Sequence, residues 1–317
     1  MASIYHGRGA AIGFGENSGT YGDAVSRTNW RPLISSSLTR TIEKVPRPTL
    51  RVGSAGAMRR SNYIQSDNAG GTFSIEASYE SMGLLLKHLL GTAASTGGSA
   101  PFTHTYTIAD DVPTGLTIEN NRGTGTSEIF EGCRLNSGTF AVSAGGVMTC
   151  EFDVIGETGQ ATPRGSLGTP SFSTTDAPIL HSHAGQMGWN GGTYDLIDMS
   201  LVINNALAVR QHLGSTVTAK PLRSDFQSVE LSVTLEVEDQ LYADFISNVE
   251  SNVTLSFVNG FREFNIEVHN AYLSAASDPI SHANVVRQSL TFIGQSDGTN
   301  EGVKLTVKND NSSATAN

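Results

Sequence analysis

The stretch TFSIEASYESMGLLLKHLLG, Thr72–Gly91, carries two hydrophobic periods back to back. In its first half Phe73, Ile75, Ala77 and Tyr79 alternate with Thr72, Ser74, Glu76, Ser78 and Glu80. That period of two predicts a strand with one buried and one wet face. In its second half Met82, Leu85, Leu86, Leu89 and Leu90 fall on one helical stripe, and Gly91 stands where a C-terminal cap belongs. The same change of period recurs about 160 residues later. In VELSVTLEVED, Val229, Leu231, Val233, Leu235 and Val237 alternate with Glu230, Ser232, Thr234, Glu236 and Glu238. Asp239 is then the expected N-cap of a helix through QLYADFISNVE, whose stripe is Leu241, Phe245, Ile246 and Val249. A strand–helix unit used twice points to an internal duplication.

Other landmarks repeat at nearly the same offset. Gly53-Ser54 and Gly214-Ser215 lie 161 apart, and the two helix starts, Ser81 and Gln240, lie 159 apart. The segment YDLIDMSLVINNALAV parallels WRPLISSSLTRTIEKV (Trp30–Val45), which reads as a long strand with an irregularity near Ser35–Ser37. HLGSTVTAKPLRSDFQS parallels, in shorter form, the connection Pro46–Gly71. At 317 residues the chain has room for two cores. The expected organisation is therefore a first domain over 1–160, an interdomain segment over 161–192, a second domain over 193–297 and a polar tail over 298–317. Within the first domain, 1–29 reads as an extended arm, Thr92–Ala100 as a small-residue loop, and Glu128–Gly156 as a hairpin turning at Ala144-Gly145-Gly146. The segment Glu157–Gly192, with Pro163, Pro170 and Pro178, breaks the pattern.

Glycine is abundant (34 residues) and charge is thin (16%), a profile of an all-β protein rich in turns. A formal charge of −10 argues against a surface that neutralises phosphates. The first residues contain no apolar core of signal-peptide length, so export by that route is not expected. No window approaches the roughly 18 apolar residues of a membrane helix. Cys133 and Cys150 fall in predicted strands; a hairpin disulfide is open to them, and two reduced thiols are the expectation for a cytoplasmic product.

Motifs for chemistry are weak. His181 and His183 lack acidic or thiol companions at ligand spacing. His104, Asp110, Asp111 and Ser127 form no recognised nucleophile arrangement. Gly7, Gly9, Gly13 and Gly15 are too irregular for a phosphate loop. The sequon Asn252–Thr254 falls in a strand. No enzyme, metal or cofactor is expected. Two features stand out instead. The long connection Pro46–Gly71 carries Arg47, Arg51, Arg59 and Arg60, suited to docking on an acidic surface, although a solvated loop accounts for them too. Glu76, Glu80, Glu230, Glu236 and Glu238 fall on the wet side of the two central strands, where solvation explains them as well as a surface shaped to repel phosphate does.

The strand WRPLISSSL, the loop PTLRVGSAGAMRR, the strand–helix TFSIEASYESMGLLLKHLLG and EIFEGCRLNSGTF…MTCEFDVIGE together resemble the tail tube proteins of long-tailed bacteriophages. The resemblance is strong over the first half and reaches the second through the duplication. It implies a mainly β fold, two tandem β-barrel or sandwich domains each with a flanking helix, assembled as stacked rings into a tube through which DNA is ejected. It further implies that Pro46–Gly71 and its counterpart near Arg223 reach adjacent rings, and that the acidic strands face the channel. A chain with two such domains suits homotrimeric rings of pseudo-sixfold shape, with a homohexamer as the alternative. Implied partners are further copies of the chain, tail terminator and tail-tip proteins, a tape measure protein in the lumen, and double-stranded DNA passing without specific binding. The implied location is the virion tail, assembled in the host bacterial cytoplasm. The competing reading is a carbohydrate- or receptor-binding β-sandwich of a virion or cell surface, for which Trp30, Trp189 and Tyr194 are the candidate platforms.

Overall fold

In a computed structural model that describes residues 9–46, 62–122, 127–159, 169–277 and 286–315, alternating apolar residues form strands over most of the chain. The first half contains β1 (Ala10–Asn17), β2 (Asn29–Pro32), β3 (Ser35–Ser36), β4 (Thr39–Pro46), β5 (Asn62–Glu76), α1 (Gly83–Leu90), β6 (Gly91–Thr96), β7 (Phe102–Ile108), β8 (Gly115–Arg122), β9 (Ser127–Ser143), β10 (Thr149–Gly156) and β11 (Thr158–Gly159). The second contains β12 (Met187–Trp189), β13 (Gly192–Tyr194), β14 (Leu196–Asn204), β15 (Leu207–Arg210), β16 (Ala219–Arg223), β17 (Ser228–Glu236), α2 (Asp239–Ile246), β18 (Glu250–Asn259), β19 (Arg262–Ser277), β20 (Arg287–Gly294) and β21 (Val303–Asn309). Among the described residues the protein is mainly β with two α-helices, and no closed barrel forms.

The two halves trace one path. In the first, hydrogen bonding runs β3/β4–β5–β10–β9–β8–β1–β2. In the second it runs β14–β17–β20–β19–β18–β12–β13. The irregularities match as well. The β9–β10 register slips between Asp153 and Val154, opposite Asn136, and the β19–β20 register slips between Leu273 and Ala275, at Ser274. Further back along the same strands, the left-handed residues Gly132 (φ 61°) and Asn270 (φ 42°) stand at equivalent positions, where the β8 and β18 ladders also shift. Bulges bend strands, and here the bend carries β9 and β19 from one sheet layer into the other. The layers then close on aromatic contacts: Phe14 of β1 lies 5.3 Å from Phe73 of β5, and Trp189 of β12 lies 4.9 Å from Phe292 of β20.

The halves are not separate bodies. β14 pairs with β9 on one edge and β17 on the other, so one sheet runs across the junction. β21 lies between β19 and β7, joining the halves a second time. One hydrophobic cluster extends from Ile12 to Ala314.

Several sequence expectations are corrected by this arrangement. The arm reading of residues 1–29 misses β1, whose Ile12 and Phe14 are fully buried; its small residues hide the period. Trp30–Val45 is three short strands rather than one. The long connection is shorter than expected, because β4 and β5 pair from Thr39↔Gly70 to Pro46↔Asn62 and leave 47–61 outside the described residues. The outer part of that hairpin is wet on both faces, so no alternation marks it. Thr92–Thr96 is strand β6. The interdomain reading of 161–192 fails over 177–189: Ile179 bonds through its backbone to both Ala77 and Met148, and Met187 and Trp189 are buried. The polar-tail reading of 298–317 fails because Val303, Leu305 and Val307 alternate into the core. Helix α2 begins at Asp239 itself, with Glu238 at the cap position and no side-chain capping bond. Cys133 and Cys150 are free and buried.

Candidate functional site

Ladder registers decide which side chains share a face, because residues directly opposite in an antiparallel pair point the same way. Starting at Glu76, the register runs Glu76↔Thr149, Ser74↔Glu151 and Thr72↔Asp153 into β10. It continues Glu151↔Thr139 and Asp153↔Ser137 into β9, then Ser143↔Asp198 and Thr139↔Val202 into β14. From there Val202↔Glu230 and Asp198↔Thr234 lead into β17, and Glu230↔Ile293 and Glu236↔Arg287 lead into β20. The residues between these, Phe73, Phe152, Phe140, Leu201, Leu231 and Phe292, are buried on the other face.

The wet face that results is continuous across both halves. Its charged groups are Glu76, Glu151, Asp153, Asp198, Glu230 and Glu236, against Arg287 as the one exposed cation among the described residues of these strands, Arg134 of β9 being buried. Between them lie serines, threonines and small apolar residues, all exposed or half-buried. Asp153 accepts a hydrogen bond from Asn136 Nδ2 at 2.8 Å, which orients it within the face.

Of the acidic residues singled out by sequence, Glu76, Glu230 and Glu236 occupy this face, and Glu238 is exposed just beyond the end of β17. Glu80 does not. The strand ends at Glu76, and Glu80 is buried, with Oε1 accepting from Arg262 Nε at 2.6 Å. Sequence alternation alone missed Glu151, Asp153 and Asp198. Their strands alternate in CEFDV and DMSLVI, so the signal was present, but only the register shows that they join Glu76 and Glu230 on one surface.

The remaining candidates are occupied or lie elsewhere. Arg47, Arg51, Arg59 and Arg60 fall outside the described residues. Arg223 is engaged within the chain: its Nη1 donates to the carbonyl oxygens of Ala109 and Asp110 and its Nη2 to Asn205 Oδ1 at 3.0 Å, on the wall of a cleft of about 630 Å³. His183 Nδ1 lies 3.0 Å from the Tyr79 hydroxyl, and buried His104 sits between Ser95 Oγ and Asn309 Oδ1. Asp111 pairs with Arg134 at 3.1 Å. Trp30 and Trp189 are both buried, the latter donating Nε1 to Asp244 Oδ2 at 3.0 Å, so neither offers a stacking platform for a sugar.

What the described residues of the surface offer is a broad, gently polar, acidic sheet face. The family described as phage tail tube protein matches residues 7–294, and the chain belongs to that family. Membership makes it a structural component of the virion tail that assembles with its own copies into a tube, a non-enzymatic kind of protein. No curated protein matches the chain.

Proposed function

We propose that this chain forms rings that stack into the tail tube, with the acidic sheet face lining the bore through which DNA is ejected. The observation that carries this reading is the continuous wet face bearing Glu76, Glu151, Asp153, Asp198, Glu230 and Glu236. Duplex DNA gains affinity by exchanging counterions for Lys and Arg. A bore with carboxylates and hydroxyls offers its phosphates almost nothing to hold, so the duplex slides. Six inward faces per ring would come from three chains, since each chain carries the path twice. Rings made of rotated, unlike contacts propagate axially without closing. Arg47, Arg51, Arg59 and Arg60, which fall in sequence between β4 and β5, serve docking on the acidic surface of the next ring. Terminator and tip proteins then cap the ends, and a tape measure protein occupies the lumen before DNA does. Assembly takes place in the host cytoplasm.

Reversing the charge of the face tests this. Glu76, Glu151, Glu230 and Glu236 changed together to Lys leave the buried face untouched. Tails of normal length that eject DNA slowly or incompletely are expected. Normal ejection from normal tails would remove the bore assignment.

A further inference from the structure

Two Asn-Gly dipeptides occur in the chain, Asn190-Gly191 and Asn259-Gly260, and each lies at the turn of a hairpin. An asparagine followed by glycine is open to attack on its side-chain carbon by the next backbone nitrogen, because glycine puts no Cβ in the way. The two turns treat that reaction differently. In the β12–β13 turn, Asn190 (φ 47°) and Gly191 (φ 78°) are both left-handed, the pattern of a type I′ hairpin. Asn190 Nδ2 donates to Asp244 Oδ2 at 3.2 Å. Asp244 is itself buried and fixed, accepting from Trp189 Nε1 at 3.0 Å and from Gln240 Nε2 at 2.8 Å. The amide nitrogen that would have to leave is tied down. An acid in its place would set a second carboxylate against a buried one.

In the β18–β19 turn, Asn259 pairs with Arg262 and leaves Gly260 and Phe261 as the loop. Gly260 has φ 64° and Phe261 is not left-handed, so glycine takes the first central position of a type II′ turn. Asn259 stays at the extended end of β18 and is exposed, and its amide has no hydrogen-bond partner among the described residues. A Cβ built on Gly260 would meet nothing within 4 Å, so solvent reaches the backbone there.

We infer that Asn259 is a site of spontaneous modification, converting to aspartate and isoaspartate while Asn190 is protected by its turn. The Gly260 nitrogen gives its proton to water and bonds Asn259 Cγ. The Cγ–Nδ2 bond breaks and Nδ2 takes up a proton and leaves as ammonia. Water then opens the cyclic imide at either carbonyl, to aspartate or to isoaspartate, and nothing is oxidised or reduced. The new carboxylate stands across the ladder from Arg262, whose Nε is already bonded to buried Glu80 at 2.6 Å, and competes for that guanidinium. The isoaspartyl form also lengthens the backbone entering a two-residue turn. Neither consequence depends on the ring reading.

Peptide mapping of the full chain, incubated folded under mildly alkaline conditions, tests the inference. Conversion of Asn259 should run at least about tenfold faster than that of Asn190, a difference of about 1.4 kcal/mol in barrier. In urea the two should react at similar rates, which assigns the protection of Asn190 to the fold. Asn259→Gln should lose most of the methyl acceptance that a protein isoaspartyl methyltransferase reads in the aged wild type. An Asn259 that keeps its amide in the folded chain while reacting in urea would overturn the inference. So would an Asn190 that keeps pace with it, a tenfold gap that persists in urea, or full methyl acceptance in Asn259→Gln.

Discussion

Glu80 and Arg262 show what a single buried pair does here. The Glu80 side chain is 2% exposed and its partner 22%, so removing the partner leaves an uncompensated carboxylate in the core. Arg262→Ala should cost about 3 kcal/mol, toward the low end for breaking a buried pair because Arg262 keeps some water. Urea denaturation of the unassembled subunit measures it. A second residue-scale case is Glu16, whose Oε1 lies 3.5 Å from His88 Nε2 and 2.5 Å from Lys87 Nζ. His88 first, and then Lys87, bring Glu16 from 4.5 down to about 2, while burial holds His88 below the usual imidazole range. A carboxylate depressed on folding stabilises above its unfolded value and loses that contribution as pH falls through its folded value. The wild-type denaturation midpoint should therefore drop between pH 4.5 and about 2 by more than that of Glu16→Gln. Alternation along TFSIEASYE put Glu76 and Glu80 on one face, and only Glu76 stays there. The strand's end cannot be read from a pattern that continues past it; Tyr79 and Glu80 are both claimed by the core.

At the scale of elements, α1 sits on the sheet where β9 provides no side chain. A Cβ at Gly138 would come within 2.6 Å of Leu89 Cδ2, so the glycine is the seat of the helix. Leu89 is fully buried. Leu89→Ala should cost about 3 kcal/mol, in the range of buried leucine truncations, again by denaturation of the subunit. Strand β21 fills a gap between β7 and β19, and Ala314 beyond it packs its carbonyl over Gly83 and accepts from the Tyr106 hydroxyl at 2.6 Å. Ending the chain at Gly302 should therefore abolish soluble folded protein rather than trim a tail. Size-exclusion chromatography and far-ultraviolet circular dichroism of the truncated chain would show it. Both helices and the central strands were legible because their periods are long and clean. β1 and β21 were not. In AAIGFGEN nearly every position is buried, so no alternation marks the strand, and in VKLTVKN the lysines and the polar residues after it mimic a solvated end. The hairpin stem Asn62–Gly71 escaped for the opposite reason, since with little to bury it carries no pattern at all.

For the whole molecule, the duplication was visible in offsets near 160, but its consequence was not. The halves were expected as separate domains joined by a linker, whereas β14 and β21 knit them into one sheet and one core. The reason is that pairing between halves uses strand edges, and an edge leaves no mark on side-chain periodicity. The same holds for the acidic face: each carboxylate can be read from the sequence, while their union on a single surface depends on five successive registers. That surface, repeated around a ring, is the claim on which the rest depends. The most direct test is a helical reconstruction of tubes grown from the purified chain. The account predicts a hollow tube whose inner wall carries Glu76, Glu151, Asp153, Asp198, Glu230 and Glu236. A tube with those residues on its outer wall would contradict it.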